Sequence, residues 1–287
     1  MTNRPWHTPA QGTVTVTKNP ADLSHWLKEE DEKIYHSQYG CLSSHRLKLF
    51  MTSPALYQAQ REGLLPFTID EAVARLGRAT HCLVLEGRKA FDERYMSAEE
   101  APVNPKTGKA FGPTSQKYLD WKVQQLREVM PRGEYELSLS MGRSVHLHPI
   151  AQERIESGIP EAVGRGVYCG EECQIRIDYM SPEHGIIDLK TCGDIDYFEH
   201  DARRFKYVHQ LAFYRSVAEA LCGHRWPVSM IAVEKKPPYR VGVWQIGEDV
   251  LAIAQKENEL AIAELQQCRE AQQWPTGYED LRVFDHI

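Results

Sequence analysis

No apolar run in the 287 residues is long enough to cross a bilayer, so the chain is not organised around a membrane-spanning helix. Excess positive charge is missing too: 34 lysines and arginines face 40 aspartates and glutamates, a formal charge of −6. That balance argues against a protein that coats nucleic acid with its whole surface, and it leaves room for a local basic channel. Seven scattered cysteines, an odd number, do not make a disulfide frame and fit reduced thiols in a cytoplasm. The opening residues MTNRPWHTPAQGT lack the basic-then-apolar layout of a secretory leader. Internal repeats and low-complexity tracts are absent. What is present is an ordinary globular composition, 42% hydrophobic and 26% charged with a mean hydropathy of −0.50. The chain is long enough for one large α/β domain or two small ones.

Residues 1–34 read as a separate, partly flexible segment, because Pro5, Pro9, Gly12 and Pro20 punctuate it and no period is sustained. From 35 to 287 the pattern is that of a single domain ending in a long helix. A helix is expected to start near Ser43 or Ser44, either a good N-cap, and to run through HRLKLFM. Another starts at Asp70 and continues through DEAVARLGRATHCLVLEG, with Gly87 as its stop. Residues 104–116 form a loop, and QKYLDWKVQQLREVM reads as one amphipathic helix with Leu119, Val123, Leu126 and Met130 on one side. The centre switches period. CQIRIDYM alternates, SPEHG turns the chain and IIDLKT returns it. A helix through RRFKYVHQLAFYRSVAEALCG, two strands around a Pro-Pro turn and a helix from about Asp249 to Gln273 complete the chain. The expected fold class is α/β, a central mixed sheet flanked by helices.

The stretch GIIDLKTC places Asp188 and Lys190 on one face of a strand and Ile187 and Leu189 on the other. A weak ion pair on a solvated face is the bland reading. A three- or five-residue turn, however, sets Asp178 opposite Asp188, Arg176 opposite Lys190 and Ile177 opposite Leu189, with apolar and charged side chains on separate faces. Two carboxylates side by side repel each other unless a cation lies between them. Oxygen ligands of this kind suit Mg²⁺ or Mn²⁺. A lysine on the same face can orient or deprotonate a water and offset charge on a phosphoryl group, so D-x₉-D-x-K reads as metal-assisted phosphodiester hydrolysis.

Asp178 followed by Asp188-Leu189-Lys190 resembles the PD-(D/E)XK nuclease signature. Gln210 to Tyr214 matches the Q-x-x-x-Y element of the RecB-like branch, and Gly77 to His81 matches its G-x-x-x-H element. ATHCLVLEG, IIDLKTCGDI and YVHQLAFY look closest to the RecE-type exonucleases (exodeoxyribonuclease VIII) of phage-like recombination systems, over roughly residues 35–245. The resemblance implies a restriction-endonuclease-like core. It implies that Asp178, Asp188 and the carbonyl of Leu189 hold Mg²⁺, with Mn²⁺ as a substitute, and that His81 is a ligand or touches a metal-bound water. Lys190 would serve the attacking water, while Gln210 and Tyr214, one turn apart, would brace the site. Arg203, Arg204, Lys206 and Arg176 are candidate DNA-phosphate contacts, although three such residues on a helix are most often a solvated face. Tyr214 reads equally as core. Some RecB-like nucleases carry an iron–sulfur cluster built from three clustered cysteines after the Q-x-x-x-Y helix. Here only Cys222 and Cys268 follow it, and Cys169, Cys173 and His184 make a poor zinc pattern, so neither group is expected.

The activity this implies is exonucleolytic degradation of linear double-stranded DNA from its ends, 5′ to 3′, leaving a 3′ strand for an annealing protein of the RecT type. A homo-oligomeric ring is the implied assembly. The alternatives are a sequence- or structure-specific endonuclease on the same core, and a non-catalytic module that binds DNA ends.

Overall fold

A computed structural model describes Leu23, Leu27 and residues 30–38, 40–65 and 71–285. Most of the expected 1–34 segment and the helix start expected at Asp70 lie outside these residues. α1 (Glu32–Ser37) leads into α2 (Ser44–Thr52), where the Ser43 hydroxyl caps the helix by accepting the Arg46 N–H. Ser53 caps α3 (Pro54–Arg61) in the same way. α4 (Glu71–His81) passes into a π-type turn at Cys82–Glu86, closed by the Gly87 N–H on the Cys82 carbonyl, and α5 (Arg88–Arg94) follows. Then come β1 (Tyr95–Ser97), α6 (Gln116–Val123), β2 (Glu128–Met130), α7 (Arg132–Leu147) and α8 (Pro149–Arg154). The central strands are β3 (Ile159–Tyr168), β4 (Glu171–Ser181) and β5 (Gly185–Cys192). α9 (Phe198–Arg204), α10 (Tyr207–Cys222), β6 (Val228–Glu234), β7 (Val241–Gln245) and α11 (Glu248–Ala271) complete the order. Among the described residues no helix is long and apolar enough to cross a membrane.

The main sheet has five strands in the order β3-β4-β5-β6-β7. Only β5 and β6 run parallel; α9 and α10 make the crossover between them. This is the expected mixed sheet flanked by helices. On one face Leu47 and Phe50 of α2, Phe213 and Val217 of α10 and Leu265 of α11 pack with Ile175, Ile177, Ile186 and Met230. On the other, Leu76 of α4, Met141 and Val145 of α7 and Ala151 of α8 pack with Tyr179, Ile187, Leu189 and Ile231. Because helices cover both faces, the central strands are apolar on both.

That cover changes one expectation. β4 and β5 pair in the expected register, Tyr179 with Ile187, Met180 with Ile186 and Ser181 with Gly185, but the ladder ends there. Asp178–Asp188, Ile177–Leu189 and Arg176–Lys190 are not formed as pairs. Ile177 and Leu189 lie in the cores on opposite sides of the sheet, not on one shared apolar face. The physical reason is visible at Asp178, whose carboxylate accepts the Leu189 N–H at 2.9 Å and so takes the donor that a continued ladder would use.

Two further segments differ. Residues 116–130 are not one helix: α6 stops at Val123, and Leu119, Val123 and Leu126 are exposed. Tyr118, on another face, is the residue that packs, beside Met96 and Val129, and the chain must straighten so that β2 pairs in parallel with β1. The expected helix through RRFKYVHQ is split in two at Lys206, which adopts a left-handed conformation with φ of 54°.

Gly185 ends the β4–β5 turn at φ +70°, and a Cβ there would overlap the Pro227 carbonyl oxygen, which accepts the Ile186 N–H. Gly185→Ala therefore combines left-handed strain with a backbone clash, and should destabilise the protein by about 2 kcal/mol or more. Thermal unfolding checks it: an unchanged Tm would contradict the tight turn that sets the strand register.

Candidate active site

Asp188 lies at the middle of β5, between β4 and β6, and is only 1% exposed. A carboxylate taken out of water to this degree needs partners. Lys190 Nζ lies 2.6 Å from Asp188 Oδ2, and the Gln210 side-chain amide donates to Asp188 Oδ1 at 3.3 Å. Asp178, on the neighbouring strand, faces the same point: Lys190 Nζ is 3.9 Å from its Oδ2. His81, the last residue of α4, brings Nδ1 to 3.6 Å from that oxygen. The structure thus brings together Asp178, Asp188, Lys190, His81 and Gln210, which come from four separate elements of the fold.

Burial is the largest influence on Asp188 and pushes its carboxyl up, with Asp178 adding to the push and Lys190 opposing it. Burial works against the charge on Lys190 too, but the Asp188 and Asp178 carboxylates more than offset it and hold the ammonium above its usual range. At Lys190 itself two acids face one base, an arrangement that favours a further positive charge nearby.

Among the described residues no three His, Cys, Asp or Glu side chains form a ready-made metal cluster. The donors that fit a hard cation are the two carboxylates, which already converge on the position of Lys190 Nζ. Asp188 Oδ2, buried and close to Nζ, makes no directional hydrogen bond. The Leu189 N–H points to Asp178, and in a strand a residue's N–H and C=O share one edge, so its carbonyl faces the gap where β4 and β5 part. This is an oxygen-rich set of the kind Mg²⁺ and Mn²⁺ take.

Gln210 and Tyr214 sit one turn apart on α10, and Gln210 also donates to the Tyr214 hydroxyl at 3.2 Å. Tyr214 is buried, and burial raises its phenol well above the ordinary range, so it remains a neutral brace. The four expected DNA contacts are placed differently. Arg176 is tied to Glu161 at 2.7 Å and lies over the Tyr35 ring. Arg203 and Arg204 are exposed at the end of α9, Arg203 4.0 Å from Glu199 and Arg204 over the Phe205 ring, and Lys206 occupies the helix break. None of these four has a hydrogen bond or ion pair with Asp178, Asp188 or Lys190 among the described contacts.

Sequence reasoning missed Lys48. This residue of α2 donates to Gln210 Oε1 at 3.0 Å, which turns the Gln210 NH₂ toward Asp188 and fixes its orientation. Burial, helped by the nearby Lys190, lowers its ammonium to about 8. The only signal in the sequence is a charge set inside the apolar run LKLFM, which in an amphipathic helix looks like an ordinary surface lysine.

A family model described as a PDDEXK-like domain of unknown function (DUF3799) matches residues 43–286. No curated protein matches. A solved structure from Eubacterium rectale, titled "Putative exonuclease", is similar in fold, with a TM-score of 0.62 at 12% identity, over 91% of this chain and 96% of that one. A PDDEXK-like domain implies a divalent metal, and the donor set above is compatible with one.

Lys48→Met should lower activity about tenfold, by freeing the Gln210 amide to turn away from Asp188. It should also change the pH dependence of stability. Lys48 binds its proton less tightly folded than unfolded, so the native protein gains stability as pH rises from about 8 toward the ordinary lysine range. Denaturant titrations at pH 7.5 and 9.5 should show that gain in the native protein and its loss in the variant.

Proposed function

The chain belongs to the PDDEXK-like family whose model spans most of it, and from that premise we propose that it is a Mg²⁺-dependent exodeoxyribonuclease acting on the ends of linear double-stranded DNA. The observation that carries the nuclease reading is the pair of carboxylates from adjoining strands, Asp178 and Asp188, converging on Lys190 Nζ at 3.9 and 2.6 Å.

Asp178, Asp188 and the Leu189 carbonyl would hold the metal, with His81 beside Asp178. The bound cation would neutralise charge on the scissile phosphate and acidify a water. Lys190, held protonated by the two acids, serves as a hydrogen-bond donor and counter-charge to the phosphate and orients the water that attacks it. Gln210 fixes Asp188 Oδ1 and is itself fixed by Lys48. Tyr214 supports Gln210 from below. The burial of Asp188 keeps bulk water from competing with the phosphate for these groups.

End-dependence, the 5′ to 3′ direction, a ring of subunits and delivery of a 3′ strand to an annealing protein of the RecT type are supported by the resemblance of the GRATH, IDLKT and QLAFY segments to RecE-type exonucleases. Arg203, Arg204 and Lys206, gathered around the end of α9, are the chain's candidate contacts to the DNA backbone. A formal charge of −6 fits a ring that is acidic outside and admits DNA through a basic channel.

Digestion of matched linear and circular duplex DNA, with Mg²⁺ or EDTA, tests this reading for the native protein and Asp188→Asn. Loss of linear DNA alone, abolished by EDTA and reduced at least about a thousandfold by the substitution, is the expected outcome. Cutting of the circle would establish an endonuclease instead. Binding of ends with no cutting would leave a non-catalytic module.

A further inference from the structure

Beside the carboxylates lies a cavity of ≈ 380 Å³ whose aromatic wall the proposed chemistry does not use. Lys190 and His81 border it on the side of the carboxylates, so it is continuous with the place where a phosphodiester would lie. Its character is aromatic, from Phe198, Phe205 and Tyr207.

Phe205 is the informative residue. It follows α9 and is 48% exposed, an unusual setting for a large apolar ring. Lys206, left-handed at φ 54°, turns the chain so that Phe205 and Tyr207 come to lie on the same side. Their planes are 28° apart and their centroids 5.8 Å apart. Cations flank this pair: Lys190 Nζ is 5.2 Å over Tyr207, and the Arg204 guanidinium is 5.3 Å over Phe205. Thr191, Cys192 and Gly193 also line it, and a Cβ at Gly193 would have no neighbour within 4 Å, so the space over that residue is open. Lys235 borders the far side, its N–H held by the Cys192 carbonyl. Asp201 borders the cavity too and pairs with His200 at 3.8 Å.

Flat rings interleaved with cations, at the edge of a phosphate site, form the pattern that holds an unpaired base: the rings stack on its face and the cations hold its backbone. A base inside a duplex has no free face to offer, and a paired terminal base exposes one face only together with its partner, whereas an unpaired base can enter a cavity of this size by itself. We propose that this cavity receives the base of an unpaired nucleotide, stacked on Phe205, next to the phosphodiester held at Lys190. The inference rests on the nuclease reading and adds the substrate class at the cutting point, a strand with its terminal base out of the helix. Because Tyr207 stacks on one face of Phe205, the base would take the face over which the Arg204 guanidinium lies at 5.3 Å, and would displace it.

The test compares linear duplexes whose terminal nucleotides carry bases or are abasic, with kcat and KM measured in Mg²⁺ for the native chain, Phe205→Ala and Phe205→Trp. Native protein should show a KM roughly 10- to 100-fold higher on the abasic end. Phe205→Ala should treat both ends alike, and Phe205→Trp should restore the difference. Equal KM values for the native protein, or a difference that persists in Phe205→Ala, would overturn the proposal. A second readout needs no turnover: in EDTA, native protein should quench a terminal 2-aminopurine and Phe205→Ala should not. Quenching without any hydrolysis would keep the base site and sink the nuclease reading. Hydrolysis without discrimination or quenching would do the reverse.

Discussion

The rest of the site depends on one constraint, the removal of Asp188 from water at the centre of a strand buried on both faces. A carboxylate in that position is tolerable only with a cation and a donor in fixed places. Lys190 supplies the cation from the same strand two residues on. Gln210 supplies the donor from α10, and its amide is held the right way round by Lys48 on α2. Each helix is positioned in turn by the core it shares with the sheet, where Leu47 and Phe50 of α2 meet Phe213 and Val217 of α10. The chemistry of one acid thus fixes the placement of two helices that are 162 residues apart at their point of contact.

The second acid is obtained by a local break in the sheet. At Asp178 the ladders on both sides fail: the β3–β4 pairing skips Glu161 and Asp178, and the β4–β5 pairing has already ended at Tyr179. Glu161 adopts a left-handed conformation, φ 50°, which a non-glycine residue adopts at an energetic disadvantage, and strained backbone of this kind clusters at functional sites. Its carboxylate is engaged by Arg176. The result is a side chain freed to hold the Leu189 N–H with one oxygen while facing Lys190 and His81 with the same group.

Much of this was legible in the sequence because it is local. Alternation and a short turn predict the register beside the turn, where Tyr179, Met180 and Ser181 meet Ile187, Ile186 and Gly185 as expected, while the pairs predicted beyond Tyr179 are not formed. The placing of His81 and Gln210 came from motif order, and the structure delivers both to Asp178 and Asp188. Two kinds of feature were not legible. Which faces of the strands are apolar depends on helices that cover both sides, and that cover is set by tertiary packing, which the alternation of a strand does not record. Lys48 reads as a surface lysine because its function arises only when α2 packs on α10. Residues 116–130 show the converse: Leu119, Val123 and Leu126 keep helical spacing and stay exposed, while Tyr118 does the packing.

The hairpin that bears the two acids closes through residues 182–184 and is anchored at its base by three strand pairs. Asp178 and Asp188 lie one residue beyond the last of these pairs, and the Leu189 N–H on the Asp178 carboxylate ties the two strands where the ladder has ended. His81 hangs from the other layer, at the junction of a helix with a π-type turn, and is tied to the sheet by side-chain packing and a 3.6 Å contact. The site is mechanically lopsided, with one stiff jaw and one compliant jaw. A displacement of α4 would therefore carry His81 away from Asp178, while the two acids, tied through the hairpin and the Leu189 N–H, would keep their spacing.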